Sequence, residues 1–96
     1  MVVQNLLKDK ADGIRRIARK NGVVRLSVFG SFAHGKPTRE SDLDLLVEFE
    51  PGRDLLDLIG LKQELEEFLG RKVDIVTERA LSPHLRDQIL LEAVPL

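Results

Sequence analysis

Ninety-six residues leave room for one small domain spanning 1–96, and 15 basic against 16 acidic side chains give a net charge of −1, with no basic field to draw in nucleic acid. The absence of Trp and Tyr, with only four Phe, leaves little surface on which bases could stack, and the absence of Cys excludes disulfides and thiolate metal sites. No signal pattern opens the chain and no apolar run approaches bilayer length, so the expectation is a cytoplasmic protein that binds neither membrane nor nucleic acid directly.

Leu7, Ala11, Ile14 and Ala18 recur at helical steps and predict a helix from about Asn5 to Lys20, stopped by Asn21-Gly22. Val23 to Phe29 alternates as a strand and ends at Gly30-Ser31. A short helix is expected through Phe32 and Ala33, then a loop over Gly35–Glu40. Leu43 to Phe49 is a second strand, with Leu43, Leu45, Val47 and Phe49 on one face and Asp42, Asp44, Leu46 and Glu48 on the other. After the Pro51-Gly52 turn, Asp54 is an N-cap for a helix to about Leu69, with Leu55, Leu58, Leu61, Leu65, Phe68 and Leu69 as its apolar side and Gly70 as its stop. Lys72 to Thr77 is a third strand. Ser82-Pro83 starts a last helix running to about Ala93. Strands alternating with helices predict an α/β (α+β) domain: a three-stranded mixed sheet with helices mainly on one face.

The chemistry concentrates in Gly30-Ser31 and, ten residues on, Asp42-Leu43-Asp44. Strand alternation points Asp42 and Asp44 to one face, about 6–7 Å apart along the backbone. Two carboxylates so close repel, and burial would raise the pKa of at least one. A divalent cation relieves that conflict. Magnesium takes one or two carboxylates plus substrate phosphates, and a pair of such ions can stabilise an in-line phosphoryl displacement. Asp74 sits among Val73, Ile75 and Val76, where a lone acid is costly unless paired or ligated. If its strand lies beside the second one in matching register, Asp74 joins the site as ligand and as base for the attacking hydroxyl. Gly30, without a Cβ, lets backbone amides approach phosphate, and Ser31 adds a hydroxyl donor. Lys36 is a further phosphate candidate from the loop.

These residues resemble the signature of the polymerase-β-type nucleotidyltransferase superfamily. The runs Phe49–Arg53, Gly70–Val76 and Ala80–Pro83 resemble its minimal nucleotidyltransferases, the antitoxin partners of HEPN-domain toxins, and extend the likeness over nearly the whole chain. The resemblance implies the polymerase-β-like fold, Asp42, Asp44 and Asp74 as magnesium ligands and catalytic acids, and Gly30-Ser31 on the triphosphate of ATP. It also implies transfer of AMP to a hydroxyl, typically a tyrosine, of the partner toxin. One departure stands at His34, where the family often carries arginine, a permanent cation with a rigid donor fork.

Blander roles compete for some residues. Lys36, Arg39 and His84 read as solvated surface groups, and the leucine stripes read as core. Ile89, Leu90, Leu91, Val94 and Leu96 exceed what a small domain readily hides and suit a partner protein or a second copy of the chain. A non-catalytic antitoxin that neutralises its toxin by occupying it is the alternative reading. Transfer to a small molecule needs an acceptor pocket that so short a chain is not expected to build.

Overall fold

The computed structural model describes residues 2–30 and 42–96, with side chains in the first stretch described from residue 9 onward. Ser31, His34, Lys36 and Arg39 lie outside the described residues, as do the short helix expected at Phe32 and Ala33 and the loop over Gly35–Glu40.

Helix α1, Val2–Lys20, begins ahead of the expected Asn5 and ends where expected. Strands β1 (Val23–Phe29) and β2 (Leu43–Phe49) have the bounds read from alternation, and they pair antiparallel. Helix α2, Leu55–Leu69, starts at a reciprocal cap: the Asp54 carboxylate accepts the Leu56 and Asp57 amides at 3.0 and 3.4 Å, and the Asp57 carboxylate accepts the Asp54 amide at 2.9 Å. The helix carries the chain over to β3 (Val73–Thr77), which lies parallel to β2, as a crossover connection allows. A single 3-10 turn, Glu78–Ala80, leads to α3 (Pro83–Glu92), where the Ser82 hydroxyl accepts the Leu85 amide at 3.3 Å.

The sheet has four strands, in the order β3-β2-β1-β4, and this corrects the expected three. The added strand, β4 (Val94–Pro95), pairs antiparallel with Ser27 and Val28. Two residues give no alternation to read, and a proline cannot donate to a ladder, so such a piece is tolerated only at an edge.

One face of the sheet carries the core. Ile14 and Ala18 from α1, and Leu61, Leu65 and Leu69 from α2, pack on Val28, Leu43, Leu45, Val47 and Val73. Leu45, Leu61 and Leu65 are fully buried, each worth about 1.5–3 kcal/mol relative to exposure. Helix α3 buries no residue, so helix packing is mainly one-sided, as expected. The apolar side expected of α2 is only half core, because Leu55 is 66% exposed and Phe68 38%. No helix among the described residues is long and apolar enough to cross a membrane.

Candidate active site

The register of the sheet aligns the key residues. Phe29 of β1 stands opposite Asp44 of β2, and Asp44 stands opposite Asp74 of β3. Directly paired residues share a face at a strand spacing of about 4.8 Å. Phe29, Asp44 and Asp74 therefore form a row across three strands, on the face away from the core. The register condition placed on Asp74 is met. Asp42 lies two residues ahead of Asp44, just before β2 begins.

Gly30 follows Phe29 and closes on the same row. Its φ is 75°, and a Cβ there would lie 2.3 Å from Asp44 Oδ2. The Asp44 carboxylate thus occupies the space a side chain would fill. Glycine at this position serves the acid as well as any anion that approaches the turn.

Electrostatics mark the same place. Burial pushes the Asp44 carboxyl above the ordinary carboxylate range, and the neighbouring charges of Asp74 and then Asp42 push it further. No ion pair among the described residues reaches any of the three acids. No group of three acid or imidazole side chains among the described residues is gathered tightly enough to grip an ion unaided. A magnesium ion that completes its shell with water and phosphate oxygens needs no such cage. An all-oxygen donor set whose negative charge no described residue compensates fits that ion.

Beside the row, a cleft of about 500 Å³ opens toward β3 and α2, lined by Phe29, Asp44, Leu58, Ile59, Lys62, Asp74, Ile75 and Val76. Sequence reasoning passed over Ile59 and Lys62. Their signal was there: Leu55, Ile59 and Lys62 fall on one helical stripe, but apolar periodicity does not say whether a stripe meets core or cleft. A larger concavity of about 630 Å³ sits around the Glu50–Asp54 turn and holds none of the three acids. His84 is exposed, as expected, with Nε2 3.3 Å from the Gln88 amide nitrogen.

Comparison with known proteins follows the same lines. The nucleotidyltransferase domain family model matches residues 11–96. The chain is 53% identical over 78 residues to a Methanocaldococcus jannaschii protein provisionally named a protein adenylyltransferase, covering 81% of this chain and 84% of the relative. It is 36% identical over 80 residues to the protein adenylyltransferase MntA of Thermococcus cleftensis, covering 83% and 81%. A solved structure provisionally described as a minimal nucleotidyltransferase superposes with a TM-score of 0.90 at 49% identity, covering 97% of this chain and 95% of that one. A toxin–antitoxin structure with AMP-PNP superposes at 0.76 and 28% identity, covering 88% and 69%. A complex of tri-AMPylated HEPN toxin with MNT antitoxin from Shewanella oneidensis does so at 0.69 and 26%, covering 96% and 70%.

Proposed function

The chain belongs to the nucleotidyltransferase domain family and is an adenylyltransferase, and we propose that it transfers AMP from ATP to a hydroxyl, typically a tyrosine's, of a partner HEPN-domain toxin and so acts as an antitoxin. The observation that carries this reading is the row of Phe29, Asp44 and Asp74 across three strands, with Gly30 against Asp44, Asp42 beside it and no compensating cation among the described residues. A cytoplasmic location accords with it.

Asp42, Asp44 and Asp74 would hold magnesium, which when bound supplies charge neutralisation for the triphosphate and the departing pyrophosphate. Gly30, with Ser31 after it, receives phosphate at the β1 end of the row. Asp74, at the β3 end, takes the proton of the acceptor hydroxyl. The acceptor oxygen bonds to the α-phosphorus as the bond from that phosphorus to pyrophosphate breaks, and AMP is left esterified to the acceptor.

The test is transfer of radiolabelled AMP from ATP to the cognate toxin in the presence of magnesium. Wild type labels the toxin. A folded Asp42→Asn/Asp44→Asn variant that labels equally well would reject the mechanism. Neutralisation by occupancy is the second reading, favoured by exposed apolar side chains near the C-terminus: Leu90, Leu91 and Val94, of which Leu91 is 87% exposed. The same double variant decides it, since full neutralisation without labelling establishes occupancy.

A further inference from the structure

We infer that the partner protein docks on the outer stripe of α2, over Leu55, Ile59 and Lys62, and delivers its acceptor hydroxyl through the cleft between α2 and β3. This rests on the adenylyl-transfer reading above and adds the face from which the substrate arrives.

The direction follows from in-line displacement. The attacking and leaving oxygens lie on opposite sides of the phosphorus. The leaving pyrophosphate belongs at the β1 end of the row, where Gly30 lies against Asp44. The attacking oxygen must then come from the β3 end, past Asp74. What lies there is the cleft of Leu58, Ile59, Lys62 and Val76. Its apolar walls suit a side chain that ends in a hydroxyl, and Asp74 is placed to take the proton from that oxygen. Immediately outside, Leu55 and Ile59 are 66% and 43% exposed on one helical stripe. Lys62 has no hydrogen bond or ion pair among the described residues, so it suits an acidic residue flanking the acceptor. Of the other exposed apolar side chains, Val94 is worse placed. It lies on β4, beyond β1 and across the sheet from Asp74.

Two measurements on the full chain with its cognate HEPN-domain partner test this. Steady-state AMP transfer is compared for wild type and Ile59→Trp, which fills the cleft mouth, with circular dichroism as the folding control and Ile59→Ala as the smaller perturbation. The expected result for Ile59→Trp is a KM for the partner raised about tenfold or more, with the KM for ATP within about twofold of wild type. In parallel, a benzoylphenylalanine photocrosslinker replaces Ile59 or, as a control, Val24. Crosslinking from position 59 and little from position 24 is expected. A raised KM for ATP with an unchanged KM for the partner would assign the cleft to nucleotide and overturn the inference. So would an unmoved pair of constants, or crosslinking from position 24 alone. The two readings fail separately. Labelled partner with an indifferent Ile59→Trp removes the docking face and keeps the activity. Crosslinking from position 59 without labelling by wild type keeps the face and removes the activity.

Discussion

Two acidic clusters sit at opposite ends of the β1–β2 pair, and the fold treats them in opposite ways. At one end, Arg53 donates to Glu50 at 2.7 Å and to Asp57 at 3.1 Å, and its guanidinium stem packs against Gly22, where φ is 90° and a Cβ would meet Arg53 Nε at 2.2 Å. The Asp54 amide, then Arg53, hold the Asp57 carboxyl below its ordinary range. Nearby, the Asn21 amide, then Lys20, do the same for Glu64. At the other end, burial, Asp74 and Asp42 push Asp44 up, and no cation answers among the described residues. The contrast separates acids that hold the fold from acids whose charge no described residue answers. An acid cluster whose charge is answered internally has a structural explanation. One left unanswered in a half-buried place is costly without a ligand.

Activity should respond most strongly. Asp42→Asn/Asp44→Asn should lower AMP transfer by about 10³-fold or more, the scale of losing preorganised charge stabilisation, while the protein still unfolds cooperatively and at no lower temperature. The Arg53 end should not respond in kind. Arg53→Ala should spare turnover within about threefold while weakening the fold, because only packing and exposed ion pairs are lost.

Backbone substitutions come next. Gly30→Ala should cost about 1–2 kcal/mol in urea unfolding from its left-handed conformation, and it should also impair transfer by displacing the Asp44 carboxylate. Asp54→Ala, at the compensated end, should cost about 1 kcal/mol of stability through the lost cap and leave transfer near wild type.

The smallest effect is the slope of stability against pH. Asp44 has a folded-state pKa above its unfolded one, so its contribution makes metal-free protein less stable as pH rises through that interval. Asp57 and Glu64 have folded values below their unfolded ones, so their stabilisation is complete above the ordinary carboxylate range and is lost as pH falls through the depressed values. Urea midpoints of metal-free protein across the acid range should show this. Asp44→Asn should raise stability near neutrality and Asp57→Asn should lower it. Magnesium with AMP-PNP should raise the wild-type midpoint and leave that of the double aspartate variant unmoved. Equal behaviour of Asp44→Asn and Asp57→Asn would erase the distinction between the two ends.

Much of this was legible in the chain. Alternation gave the bounds of β1 and β2, and Asp54, Gly70 and Ser82 marked helix ends by local chemistry. The acids and the glycine could be picked out because their residue types and spacing already limit the chemistry. Three things were not legible. The pairing of Asp44 with Asp74 joins strands distant in sequence, and no local pattern encodes it. The stripe of Leu55 and Ile59 has the same periodicity as the buried Leu61 and Leu65, and only the packed structure tells them apart. Strand β4 is too short for alternation, and its proline argues against a strand until an edge is known to be free.

The parallel seam between β2 and β3 has a last consequence. Side-chain direction along a strand repeats every second residue, so the connector from Leu69 to Val73 works as a parity lock. A slip of β3 by one residue against β2 would turn Asp74 inward and Val73 outward, exchanging a carboxylate for a valine at the candidate site. Length changes at this connector should therefore be tolerated only where they leave that register unmoved.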